Sequence, residues 1–231
     1  MTTLGILGGM GPLATALFLE QIVTYTKANN DQGHIDTIVY NMPSIPERTG
    51  FILGTSDINP APVLQKHVVA LKEQGVSYIA IPCNTAMHFY NDIANLGVEV
   101  SNISKIALQA TKPTQKVGIM ATTGTVSSGI FQRFAKELGR ELVFADDKYQ
   151  KTLMDVIYTA VKAGKPIDQK AFMGIVTHLK EKGSDAIILG CTELTVVNKQ
   201  LKLDPSFFID ASIELAKEAI QKMGKEVRAS V

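Results

Sequence analysis

Apolar residues follow two rhythms along this chain. Short runs rich in Ile, Val and Leu lie at residues 3–7, 37–40, 78–82, 116–120, 141–144, 186–190 and 207–209. Most are bounded by Gly, Pro or Asn, and they predict β-strands. Between them, at 14–27, 60–74, 128–138, 168–181 and 213–223, apolar positions recur every three to four residues. That spacing predicts helices laid on a sheet. Strands that alternate with helices pair in parallel through helical crossovers, so the expected class is α/β with helices on both faces of a parallel sheet.

The pattern also repeats. Leu4-Gly5-Ile6-Leu7-Gly8-Gly9-Met10-Gly11 is echoed by Val117-Gly118-Ile119-Met120-Ala121-Thr122-Thr123-Gly124. Ile79-Ala80-Ile81-Pro82-Cys83-Asn84-Thr85 is echoed by Ile187-Ile188-Leu189-Gly190-Cys191-Thr192. Both echoes come in the same order at an offset of about 110 residues. Two similar halves follow, each a parallel-sheet α/β sandwich, with a boundary around residues 101–113. The expected division is 1–103 plus 206–231 for the first domain and 104–205 for the second, the last strand and helix packing back onto the first half.

Composition narrows the function classes. The 231 residues are 45% hydrophobic and 19% charged, with a formal net charge of +1. This balance carries no electrostatic footprint for nucleic acid or anionic lipid, and too much apolar content for disorder. No apolar run approaches the roughly 18 residues that would cross a bilayer. The first residues, Met1-Thr2-Thr3-Leu4, lack the basic start of a secretory signal. A soluble cytoplasmic protein is expected.

Only two cysteines occur, Cys83 and Cys191. A structural disulfide suits an oxidising compartment better than the cytoplasm, and no Cys-x-x-Cys or His-x-x-x-His spacing offers a local metal site. By count alone, two inert core thiols remain an equal reading. Their positions argue otherwise, since each follows an apolar strand and precedes a polar pair and a helix-like stretch. Ligands of α/β sheets bind beyond the carboxyl ends of the strands, and a helix N-terminus there favours thiolate. If the halves face each other, the two thiols stand on opposite walls of one cleft. Two opposed acid–base groups suit inversion at a carbon centre: one removes a proton from one face and the other returns one to the opposite face.

Other residues point to an anionic ligand. Arg48 sits in the Pro-stiffened stretch Asn41-Met42-Pro43-Ser44-Ile45-Pro46-Glu47-Arg48-Thr49, where a planar guanidinium suits a carboxylate, although pairing with Glu47 explains it equally well. Thr122 opens a hydroxyl-rich turn that offers either an anion site or plain helix capping. Lys162 alone reads as a helix-end charge. The turn Gly9-Met10-Gly11-Pro12-Leu13-Ala14 partly matches a dinucleotide fingerprint, but Pro12 intrudes and the next strand ends in Tyr40-Asn41 without an acid. His34, His67, His88 and His178 are scattered and suggest surface or capping roles.

Taken together, Gly5 to Pro12, Asn41 to Thr49, Pro82-Cys83-Asn84-Thr85-Ala86, Ala121-Thr122-Thr123-Gly124-Thr125 and Gly190-Cys191-Thr192-Glu193-Leu194 resemble the PLP-independent aspartate/glutamate racemase family, and the aspartate racemases within it most closely. Met87, between Ala86 and His88, departs from the family's pattern and leaves His88 without an implied role. The resemblance implies two pseudo-symmetric α/β domains with the site in the cleft between them, a homodimer, and neither cofactor nor metal. It implies Cys83 and Cys191 as the acid–base pair and Arg48 and Lys162 as carboxylate ligands. Met10, Asn84, Thr85 and Thr192 would line the cleft. The activity implied is interconversion of L- and D-aspartate. Glutamate or broader amino-acid racemisation, dicarboxylate isomerisation or decarboxylation, and non-catalytic binding of acidic amino acids are the alternatives.

Overall fold

Strand β1 (Leu4–Gly8) is buried at every position, which requires a strand covered on both faces in the interior of a sheet. The computed structural model, which describes residues 2–229, places it there. The chain then runs through α1 (Pro12–Tyr25), β2 (Thr37–Asn41), α2 (Arg48–Ile52), α3 (Ala61–Glu73), β3 (Tyr78–Ala80), a 3-10 turn (Thr85–Phe89), α4 (Tyr90–Ile93), β4 (Glu99–Val100) and α5 (Ile103–Gln109). The second half contributes β5 (Lys116–Met120), α6 (Thr123–Ser127), α7 (Ile130–Leu138), β6 (Glu141–Phe144), α8 (Asp147–Met154) and a π-helical segment (Asp155–Val161). It continues with α9 (Gln169–Glu181), β7 (Ala186–Leu189), α10 (Leu194–Leu201), β8 (Phe208–Asp210) and α11 (Ala211–Lys222).

Two four-stranded sheets result, with orders β2-β1-β3-β4 and β6-β5-β7-β8, every pairing parallel. The order is the same in both, so the sequence echo is also a topological one. Each half ends in a strand and a helix, and the helices change partners. α5 packs on α7 of the second half, while α11 packs along α1 and against β3 of the first, and the two helices also touch each other. At the chain's end α11 packs on the first half, whereas the strand, expected there too, stays with the second sheet. Phe208–Asp210 pairs with β7, with Ile188 opposite Ile209, because residues 208–210 extend the second sheet's parallel ladder before the chain crosses over. The apolar core runs without a break from the first half through α5, α7 and α11, and a second cluster fills the outer side of the second sheet.

The seven predicted strands are present with ends shifted by one or two residues, as are the five predicted helices. Missing from the sequence reading were β4, at two residues, and helices α2, α4, α5, α6 and α10, which are too short for a three-to-four-residue apolar spacing to recur recognisably. The α8 segment escaped because Leu153 is its only buried residue. Among the described residues no helix is long and apolar enough to cross a membrane.

Two strands stop earlier than their apolar runs, and this sets the site. Ile81 and Pro82 leave the sheet in a three-residue turn, in which the Cys83 N–H donates to the Ile81 carbonyl at 2.8 Å. In the second sheet Gly190 follows the last residue of β7 and is still tied to β5, its N–H bonding to the Met120 carbonyl at 2.8 Å, so Cys191 comes directly beyond the ladder. Close approach governs the end of β1. Gly9 has φ +95°, and a Cβ there would lie 2.2 Å from the Met42 backbone, so only glycine lets the β1 turn and the loop after β2 touch. Gly9→Ala is accordingly expected to destabilise the protein by about 1–3 kcal/mol. Urea unfolding should show a lower midpoint at unchanged m-value.

Candidate active site

The carboxyl ends of the two sheets face one another, and the loops leaving β1, β2, β3, β5 and β7 meet between them. One cavity there is lined by every residue singled out in the sequence: Met10, Arg48, Cys83, Asn84, Thr85, Thr122, Lys162, Cys191 and Thr192. Glu47, Thr49, Tyr158 and Glu193 complete the wall. The free space at its centre is about 10 Å³, room for the centre of one water molecule. None of the four histidines lines it. His178, for example, stacks on Tyr149 with ring centres 4.0 Å apart.

Hydroxyls stitch the halves together around this cavity. Thr192 donates to the Pro82 carbonyl at 3.1 Å, tying the residue after one cysteine to the residue before the other. The Thr85 hydroxyl lies 3.1 Å from that of Thr122 and 2.8 Å from that of Thr125. At the rim, the Tyr158 hydroxyl is 3.3 Å from Thr49 Oγ1 and donates to Glu47 Oε1 at 3.2 Å. These bonds are why Thr85 and Thr122, polar side chains, are buried without being orphaned.

Cys83 and Cys191 are free thiols, 5% and 6% exposed, at matching positions beyond β3 and β7. Cys191 donates to Glu193 Oε2 at 2.9 Å. Burial pushes its pKa well up, and the adjacent Glu193 charge and hydrogen bond push further than the Lys162 charge pulls down. The thiolate-favouring environment expected from a helix N-terminus is thus reversed at Cys191. Helix α10 begins only at Leu194, and the intervening turn brings a carboxylate against the sulfur.

Lys162 pairs with Glu193 Oε1, so one carboxylate serves both the ammonium and the thiol. Burial pulls the Lys162 pKa down, but the Glu193 charge and hydrogen bond outweigh it, aided by the fields of both cysteines, and the ammonium is held above its ordinary range. Lys162 and Tyr158 reach the cavity from the π-helical segment. The Lys162 N–H bonds to the Ile157 carbonyl five residues back at 2.9 Å, and residues four apart share a helix face.

On the opposite wall, Arg48 is braced by carbonyls of its own loop, Nη1 donating to Ile45 at 3.2 Å and to Pro46 at 2.9 Å, and Nη2 donating to Met10 at 3.4 Å. Arg48 Nε is buried without a partner, and so is Asn84 Nδ2. The Asn84 amide is oriented by Ser104, whose hydroxyl donates to Oδ1 at 2.9 Å. Two fixed, unsatisfied donors in one cavity call for an anionic or carbonyl acceptor. Glu47 is not the simple partner of Arg48: its carboxylate caps α2 through the Thr49 and Gly50 N–H groups. Burial raises the Glu47 pKa, but those bonds, Arg48 and Tyr158 together hold it below its ordinary range.

The glycine turn does not form a dinucleotide cradle. A Cβ at Gly11 would lie 3.2 Å from Glu193 Oε1 and 3.4 Å from Lys162 Nζ, so the ion pair occupies the approach a pyrophosphate would need. Among the described residues no three His, Cys, Asp or Glu side chains are grouped to hold a metal. Sequence reasoning passed over four wall residues. Glu193 was legible within Gly190-Cys191-Thr192-Glu193, two residues after a cysteine at a turn, and Glu47 and Thr49 flank Arg48. Tyr158 had no signal, because a π-helical turn leaves no apolar period.

Comparisons with known proteins give the family and the fold. Residues 7–223 match the family model described as Asp/Glu/Hydantoin racemase. The chain is 27% identical to the broad specificity amino-acid racemase RacX of Bacillus subtilis, over 94% of its own length and 96% of that protein's. It is 31% identical to the glutamate racemase of Aquifex pyrophilus over 65% of this chain and 58% of the other. Its structure superposes on the Picrophilus torridus aspartate racemase with a TM-score of 0.83 at 28% identity, covering 99% of this chain and 96% of that one. By its two matched sheets and by a family match along nearly its whole length, this chain belongs to the Asp/Glu/hydantoin racemase family.

Proposed function

We propose that the chain racemises a small acidic amino acid, aspartate before glutamate, with Cys83 and Cys191 as opposed acid–base groups and no PLP. The observation that carries this reading is the equivalence of the two thiols. Each follows the third strand of an identically ordered sheet, and both line one cavity otherwise walled by polar and cationic groups. The acidic substrate is favoured by Arg48 Nε and Asn84 Nδ2, unpartnered donors of two residues that line the cavity, and by the charged Lys162.

In this scheme the substrate's carboxylates rest on Arg48, Asn84 and Lys162, with Cα between the sulfurs. One sulfur takes the Cα proton, and the other thiol delivers its own proton to the opposite face. Cys191 is poised as the donor, because its thiol is kept protonated by burial and by Glu193. The reverse reaction starts from the state this step leaves, with Cys191 as thiolate and Cys83 protonated: Cys191 takes the Cα proton and Cys83 delivers its own, and Glu193 Oε2, 2.9 Å from the sulfur, is placed to exchange a proton with Cys191 between turnovers. Fixed cations and amide donors in a water-poor cavity offset the weak acidity of Cα–H. Substrate entry requires the Tyr158 bonds to Glu47 and Thr49 to open, since they close the rim between the halves.

Cys83→Ala and Cys191→Ala should each lower racemisation of L-aspartate by about a thousandfold or more, since one acid–base group supplies roughly 10²- to 10⁴-fold. In D2O the wild type should place deuterium at Cα of the product, and near-normal racemisation in either variant would sink the two-thiol scheme. Initial rates on L-aspartate and L-glutamate decide the preferred substrate.

Glu193→Gln removes the negative charge that raises Cys191, so the Cys191 pKa should fall. The alkaline limb of kcat/KM, in the direction where Cys191 donates, should move to lower pH, and an unmoved limb would remove Glu193 from the scheme. Arg48→Lys should raise KM about 10- to 100-fold, the equivalent of about 1.5–3 kcal/mol for one charged hydrogen-bonded contact.

A further inference from the structure

The Lys162–Glu193 pair has two sides. One faces the thiols, and the other faces a second cavity of about 220 Å³, to which both residues also belong. That chamber is walled mainly by hydrocarbon: Pro12, Leu13 and Ala14 at the start of α1, Val161 at the end of the π-helical segment and Val196 on α10. Leu13 remains 54% exposed there, a large apolar surface with nothing packed over it. The partition between the chambers is thin. Gly11 lets the ion pair rest directly against the start of α1, where a Cβ would meet Glu193 Oε1 at 3.2 Å and Lys162 Nζ at 3.4 Å. Its two members differ in freedom. The Lys162 side chain is 27% exposed on a flexible four-carbon stem, while Glu193 is 6% exposed and also held by Cys191. Lys162 is therefore the member that can swing.

The space beyond Tyr158 is mixed: Leu53 and Met154 line it together with Glu47, Thr55 and Asp155. On the Lys162 side the ion pair supplies the only charged side chains, and the other side chains of the wall are hydrocarbon. A side chain larger than that of aspartate, passing between the sulfurs and outward, finds its more apolar surroundings there.

We propose that this chamber is a side-chain pocket for neutral aliphatic amino acids of leucine or methionine size. With Lys162 turned aside, the aliphatic chain lies against Leu13, Val161 and Val196, and the α-carboxylate keeps its donors at Arg48 and Asn84. The chemistry is unchanged: a Cα–H bond breaks as one sulfur takes the proton, and a new one forms as the opposite thiol gives its own. The chain is thereby a racemase of aliphatic as well as acidic amino acids, with Lys162 as the gate between the two classes. This rests on the two-thiol reading above.

The test measures initial racemisation of L-aspartate, L-leucine and L-methionine by chiral chromatography in wild type, Val196→Phe and Val196→Ala. Val196 lines the chamber and not the thiol cavity, so filling it should leave aspartate within about threefold. It should cut leucine and methionine at least tenfold, in line with the roughly 10- to 200-fold that one methylene commands in an apolar pocket. Val196→Ala, which only removes volume, should raise the rates on methionine and leucine relative to aspartate. Wild type that turns over aspartate but neither aliphatic substrate overturns the pocket and leaves the acid racemase standing. Equal loss on all three substrates in Val196→Phe, with unchanged ratios in Val196→Ala, overturns it too. Failure of the wild type on every substrate overturns the racemase reading beneath it.

Discussion

The bond from the Thr192 hydroxyl to the Pro82 carbonyl joins the loops that carry the two cysteines, and the geometry of the cavity depends on it. Neither sheet alone makes a site, because each contributes one thiol at the edge of an otherwise apolar sandwich. Thr192 fixes the distance between those edges, and the Thr85, Thr122 and Thr125 hydroxyls repeat the constraint a few residues away. Because these groups are buried, separating the halves would leave them unsatisfied, at a cost of about 1–3 kcal/mol for each group not reached by water. The exchange of α5 and α11 reinforces the same closure from behind, since each half is covered in part by a helix that follows the other's last strand.

Within that frame one carboxylate organises the electrostatics. Glu193 accepts from Cys191 and pairs with Lys162, so it raises the affinity of both groups for protons. An isolated buried carboxylate would be costly, and these two partners offset the cost. The arrangement makes the two thiols chemically unequal despite their equivalent places in the fold. It also sets a positive charge beside the cavity without a metal-like cluster of acids around it.

Much of this was legible in the order of residues. Short apolar runs and three-to-four-residue apolar spacings placed the strands and long helices, and the repeat near 110 residues announced two halves of one kind. The strand-to-turn positions of Cys83 and Cys191 were readable because an apolar run followed by Pro-Cys or Gly-Cys marks the end of a parallel strand. The fate of β8 was not readable. Residues 208–210 and α11 follow each other directly, and nothing local says that the strand stays with one sheet while the helix crosses to the other. Tyr158 was hidden for a similar reason, as its role arises from a backbone irregularity and from partners 109 and 111 residues away.

The amino-acid sequence by itself determined the α/β class, the doubling of the unit and the chemical inventory of the site, because these follow from local periodicity, turn residues and residue type. Tertiary structure alone decided which strand and helix serve which half, that Glu193 binds thiol and ammonium at once, and that Arg48 Nε and Asn84 Nδ2 stand unpartnered in one cavity. Those outcomes depend on distances between segments remote in sequence. The thiol's response is the plainest case. A helix N-terminus nearby argued for a lowered pKa at Cys191, and the burial and neighbouring charge that only folding supplies drove it the other way.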